Sequence, residues 1–121
     1  MEKIIFIEYP ACSTCKKAKR FLDECEINYV DRNIKNDNPN KEELYEFLNK
    51  SNIDVNKMFN TSGLLYKELN IKDRKEKMTI DEKIDLLSSN GMLVKRPILV
   101  LDDDVLFGFK EEEWKKKINK N

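Results

Sequence analysis

The stretch KIIFIEYPACSTCKKAKRFLDEC, residues 3–25, decides how this chain folds. Its opening run KIIFI (3–7) is apolar and rich in β-branched residues, and Tyr9-Pro10 closes it, which is the pattern of a short buried strand. From Ser13 to about Glu26 the period changes: Ala18, Phe21, Leu22 and Cys25 recur at helical spacing, leaving one apolar stripe against a lysine-rich outer face. Between strand and helix stand Cys12 and Cys15 in C-x-x-C spacing. The next run, Ile27 to Ile34, alternates apolar and polar residues until the turn-prone NDNPN (36–40) ends it. Strand, helix and strand make a βαβ unit, whose parallel strands imply a right-handed crossover.

Beyond that unit the period stays helical for some fifty residues. Asn40 followed by Glu43 is a capping box opening a helix with Leu44, Phe47 and Leu48 on one face. Val55, Met58 and Phe59, then Leu64, Leu65 and Leu69, predict short helices, and Thr79 with Glu82 caps another that carries Ile80, Ile84 and Leu87. Asn90-Gly91 is a stop signal. Period 2 returns in ILVL (98–101) and VLFGF (105–109), joined by Asp102-Asp103-Asp104 as a hairpin, before a last helix with Trp114 and Ile118. The expected fold is α/β, βαβ–helical insert–ββα, in a single domain with its core at 1–35 and 92–121 and the insert at about 40–90.

Composition narrows the function. The 121 residues suit one core, and 40% hydrophobic with 38% charged content predicts a folded chain with a heavily charged surface. Lys+Arg and Asp+Glu balance at 23 each, so no net positive field favours direct binding of nucleic acid. No apolar run reaches the roughly 18 residues of a membrane span, and the N-terminus lacks the pattern of a signal peptide, which predicts a cytoplasmic protein away from membranes. The absence of histidine removes the commonest general base and metal ligand, so chemistry has to run on thiol, carboxylate, amine or guanidinium groups.

In a reducing compartment C-x-x-C spacing reads as redox or metal chemistry. A zinc site would need Cys25 as well, but ten helical residues separate it from Cys15, about 15 Å along the axis. Cys25 is therefore expected in the core, and no metal is expected. Cys12, just ahead of a helix, gains from the unpaired N–H groups there, and Lys16 and Lys17 add positive charge. That makes Cys12 the nucleophile and Cys15, one turn further in, the resolving thiol. The three adjacent aspartates suit a hairpin turn better than a cation cage.

Three blocks, YPACSTCKKAKRFLDE (9–24), FNTSGLLYKEL (59–69) and GMLVKRPILVLDDDVLFGFKEEEW (91–114), together resemble the arsenate reductase (ArsC)/Spx family of bacterial thioredoxin-like proteins. The resemblance covers nearly the whole chain and keeps the order of the blocks. It implies a thioredoxin/glutaredoxin-like core with a mixed sheet and a helical subdomain, and a reactive Cys12. It also implies that Arg96-Pro97 is the family's Arg-Pro pair, with a cis proline beside the thiol and Arg96 facing an anion site.

The chain departs from arsenate-reducing members, which use further arginines where Asn60 and Gly108 stand here, and which generally lack a second thiol and depend on glutathione. An unrelated phosphatase-like reductase would need C-x₅-R, but Ala18 occupies that position. The expected function is thus a thiol–disulfide redox protein acting through a mixed disulfide on Cys12, with Cys15, Arg96, Lys16 and Pro97 around it. No bound cofactor is expected, the reductant being glutathione or a thioredoxin or glutaredoxin, and the substrate a thiol or disulfide. Two alternatives remain: an Spx-like redox-sensing regulator binding the RNA polymerase α subunit, and a glutathione-dependent arsenate reductase.

Overall fold

The computed structural model describes residues 3–118. Strand β1 (Ile5–Glu8) is followed by helix α1 (Ser13–Glu24) and β2 (Val30–Asn33). Helices α2 (Lys41–Ser51), α3 (Leu64–Glu68), α4 (Ile71–Arg74) and α5 (Ile80–Ser89), with 3-10 turns between and after them, precede β3 (Ile98–Val100), β4 (Val105–Phe107) and α6 (Glu111–Ile118). The sheet order is β2-β1-β3-β4. β1 and β2 are parallel, with Ile5 opposite Val30, while β1 pairs antiparallel with β3 and β3 with β4. This is the thioredoxin-like α/β arrangement.

Period-2 alternation divides the strands between two cores. Phe6, Leu99, Leu101 and Leu106 turn to one face, where Ala18, Phe21 and Leu22 of α1 and Trp114 of α6 cover them. Ile7, Ile98, Val100 and Val105 turn to the other and pack against Leu44, Phe47, Met58, Phe59, Ile84 and Leu87 of the helical segment. The 40–90 stretch is thus one whole layer of the fold.

Both capping boxes form as the sequence predicts, Asn40 with Glu43 and Thr79 with Glu82. Glu43 also takes a bidentate contact from Arg32 at 2.7 and 2.9 Å, tying β2 to the start of α2. Gly91 lies where the chain crosses β2: a Cβ there would stand 2.3 Å from the Ile34 carbonyl oxygen.

One core assignment fails, that of Cys25, and Leu64 and Ile80 open the helices expected there but stay outside the core. Cys25 is exposed rather than in the core. The helix ends at Glu24, Glu26 adopts a left-handed φ of 56°, and the N–H of Ile27 bonds back to Leu22, so Ile27 instead covers the end of the stripe. Leu64 is 77% exposed, because in so short a helix Tyr66 takes the inward place, its ring 6.0 Å from Phe59. Ile80 opens with Lys83 onto a surface cleft beside the end of α2, leaving Ile84 and Leu87 to hold α5 in the core.

Candidate active site

The short loop 9–12 joins the carboxyl end of β1 to the start of α1, and Cys12 stands at that junction. Its backbone is extended (φ −82°, ψ 123°) and it occupies the N-cap of α1. Its N–H bonds to the Tyr9 carbonyl at 2.9 Å and its carbonyl accepts from Lys16 at 3.0 Å, fixing the loop 9–12 as a tight connection. Cys15 points inward and is fully buried, with the Tyr9 N–H directed at its sulfur at 3.5 Å.

The two thiols are pushed in opposite directions. Burial alone would raise Cys12, but favourable interactions with the N–H and thiol of Cys15, the N–H of Thr14 and the charge of Arg96 outweigh it and hold Cys12 below the ordinary cysteine value. Burial pushes Cys15 up to about 12, and a neighbouring Cys12 anion and Glu8 act in the same sense. The Cys12 sulfur thus gives up its proton more readily than an ordinary thiol, and the Cys15 sulfur holds its proton more tightly.

Arg96 reaches Cys12 through the pairing of β3 with β1. The Arg96-Pro97 peptide is cis and Pro97 is buried. The guanidinium lies over the Tyr9 ring, 5.3 Å from its centroid, and its Nε and Nη1 are buried without a hydrogen-bond partner. Cys12, Thr14, Asn60, Lys95, Arg96 and Lys110 line one cavity of about 410 Å³.

Asn60 and Gly108 also line that cavity, so the positions where the family's arginines are expected do face the thiol. Gly108 has φ +79°, and a Cβ there would come within 2.7 Å of the Lys95 side chain. Its N–H bonds to the Pro97 carbonyl at 2.8 Å and its carbonyl accepts from the Trp114 indole at 3.0 Å, so the backbone is clamped in this shape. Lys16 stands apart, in a shallow groove with Lys19, Arg20, Asp23 and Glu24 on the outer face of α1. The cations that share a cavity with Cys12 are Arg96, Lys95 and Lys110, not Lys16.

Sequence reasoning missed Tyr9, Lys95, Lys110 and Glu8. Glu8 shares the sheet face of Phe6, beneath α1, and is only 3% exposed. Burial raises its carboxyl above the usual range, and Asp31 adds to this while Lys19 opposes it. A carboxylate ending an apolar strand one residue before Tyr9-Pro10 was the available signal. Among the described residues no group of three or more potential metal ligands comes together, and no helix is long and apolar enough to cross a membrane.

Residues 7–117 match the model of the ArsC family. The uncharacterized protein YusI of Bacillus subtilis (strain 168) is 45% identical over 113 residues, 92% of this chain and 94% of that protein. The regulatory protein MgsR of the same organism is 30% identical over 112 residues, 93% of this chain and 87% of its own. The crystal structure of an ArsC family related protein from Bacteroides fragilis superposes with a TM-score of 0.92 at 52% identity, covering 94% of this chain and 96% of that one.

Proposed function

Because this chain belongs to the ArsC family, we propose that its thiol redox chemistry is a two-cysteine cycle, with Cys12 attacking a substrate disulfide and Cys15 resolving the product. The observation that carries this reading is the placing of the two thiols, Cys12 at the N-cap of α1, partly open to solvent and lining the cavity, and Cys15 fully buried one turn further in. Cys12 attacks a disulfide sulfur: a Cys12–S bond forms, the substrate S–S bond breaks, and the departing thiolate takes a proton from water. Cys15 then loses its proton and attacks the Cys12 sulfur, releasing the second substrate thiol. The substrate leaves reduced by two electrons and the protein holds a Cys12–Cys15 disulfide, which an external thiol such as glutathione or a dithiol protein reopens. Arg96 steadies the Cys12 thiolate before its attack and again when the disulfide is reopened.

Asn60 and Gly108 in the cavity leave an oxyanion fewer cationic donors than a cradle of arginines supplies, which weighs against arsenate as the natural substrate. The test is a disulfide exchange assay and a glutathione-coupled arsenate assay on one preparation. Cys15→Ser is expected to accumulate a mixed disulfide on Cys12, and Cys12→Ser to form none. Robust arsenate reduction indifferent to Cys15→Ser would overturn the two-cysteine cycle.

The likeness to MgsR, a regulatory protein by name, favours a second reading. Here the same Cys12–Cys15 disulfide switches the affinity of the surface for a protein partner, the RNA polymerase α subunit being the one to test. Capture of that subunit by only one redox form would support it, and equal or no capture by both would exclude it.

A further inference from the structure

β4 is an edge strand, and the phase of its hydrogen bonds shows what that edge presents. The Leu101 N–H bonds to Asp104 at 2.9 Å and the Gly108 N–H to Pro97 at 2.8 Å. With Leu99 opposite Leu106, the hydrogen-bonded pairs of the ladder are therefore 101/104, 99/106 and 97/108. Alternation then directs the backbone groups of Val105 and Phe107 away from β3, to the outer edge. The Val105 N–H is taken by the Asp104 carboxylate at 2.8 Å. The Val105 carbonyl and both polar groups of Phe107 remain directed outward.

This edge forms one wall of a second cavity of about 660 Å³, and Ile53, Asn56, Lys57 and Lys75 of the helical layer form the opposite wall. Lys95, Phe107 and Lys110 line both this cavity and the one holding Cys12, so a single cleft runs from the thiol down the edge of β4. Lys57, Lys75, Lys95, Lys110 and Lys117 meet only Asp104 and Glu113 there. Lys117 is paired with Asp104 at 2.7 Å and Lys75 bonds to the Tyr66 hydroxyl at 3.0 Å. Lys57, Lys95 and Lys110 form no ion pair among the described residues. In a chain whose charges balance overall, this is a local positive excess beside the reactive sulfur.

We propose that the cleft binds an extended acidic peptide, the segment of a protein substrate flanking the disulfide that Cys12 attacks, paired as an added strand with the free edge of β4 and held by Lys57, Lys95 and Lys110. The proposal rests on the redox reading above and names its substrate class. Two features select a peptide over a small anion: the lysines match carboxylates, and the edge matches backbone amides, which a phosphate cannot offer. At about 3.3 Å per residue, a flank of about four residues spans the strand from the Cys12 end to Asp104.

The experiment uses the full chain carrying Cys15→Ser and Cys25→Ser, so that Cys12 is its one thiol. The probes are synthetic peptides with a single cysteine blocked as its thionitrobenzoate mixed disulfide and flanked by Glu, Gln or Lys. Attack releases thionitrobenzoate and leaves the peptide on Cys12, so rate and adduct mass are read together. The Glu peptide is expected to react about tenfold faster than the Gln peptide at low salt, the Lys peptide slower still, and the differences to shrink as salt rises. Lys57→Glu with Lys110→Glu is expected to invert the order. Methylation of alternate backbone amides on the Glu peptide, tried in both phases, is expected to slow capture in one phase only. Equal rates for the Glu and Gln peptides, or indifference to methylation in both phases, would overturn the proposal while leaving the redox reading intact. Failure of every peptide to form an adduct on Cys12 would instead overturn the redox reading.

Discussion

Replacing Cys15 by alanine or by serine separates what its polar group does for Cys12 from what its bulk does. The Cys15 thiol and N–H are the leading influences that favour the Cys12 anion, and only the thiol is lost in alanine. A hydrogen bond to a charged group contributes about 1.5–3 kcal/mol. A thiol is a weak donor and Cys12 is partly open to solvent, which places this one at or just below the lower end, about 1.4 kcal/mol or tenfold in an equilibrium. Well below its pKa, Cys15→Ala then carries about tenfold less Cys12 thiolate than Cys15→Ser. A thiolate that is about tenfold more basic is about threefold more nucleophilic toward disulfides, so the net loss is about threefold. Well above both pKa values the order reverses and the alanine variant is the faster. Stopped-flow release of thionitrobenzoate from an aromatic disulfide, measured across pH in a Cys25→Ser background, yields both midpoints and both limiting rates. Coincident midpoints for the alanine and serine variants would refute the reasoning, since bulk alone would then account for Cys15.

Other outcomes follow from the same structure. Gly91→Ala drives a Cβ into the Ile34 carbonyl, which is backbone and cannot swing aside, and should lower stability by about 3 kcal/mol in urea unfolding. Trp114→Phe removes the indole donor to Gly108 and should cost about 1–3 kcal/mol, with altered Cys12 reactivity because Gly108 borders its cavity. Glu43 is held below the usual carboxylate range chiefly by Arg32, so its contribution is complete above its unfolded pKa and lost as pH falls through the folded one. Glu43→Gln should therefore flatten the acid limb of the melting temperature against pH. Cys15 is raised instead, so its contribution is complete below the ordinary thiol value and lost as pH rises toward 12, and Cys15→Ala should flatten the alkaline limb. Glu8 is likewise raised, making its charged form a liability at neutral pH, and Glu8→Gln should increase the melting temperature at pH 7.

Most of the architecture was legible in the sequence because its signals are local. A capping box closes within three residues, an apolar stripe within two turns, and a hairpin across its own turn; each of these, from Asn40-Glu43 to Asp102–Asp104, forms where expected. The βαβ start and the placing of Cys12 ahead of α1 belong to the same class. Where local reading failed, a neighbour brought from elsewhere decided the outcome. Cys25 has the right spacing for the core and lost its place to Ile27, because a left-handed residue turned the chain one position later.

The active cavity is the part that only tertiary structure decided. By itself the sequence determined which sulfur leads a helix and which follows a turn behind. It placed positive charge on Lys16, the nearest cation in the chain, whereas the fold turns Lys16 to the outer face of α1 and brings Arg96, Lys95 and Lys110 to the cavity that Cys12 lines. Those residues arrive through the antiparallel pairing of β3 with β1 and β4 with β3, and sheet register is a property of distant segments that no local window contains. The free edge of β4 is set in the same way: its exposure depends on which strand ends the sheet, a choice made only when all four strands pack between their two cores.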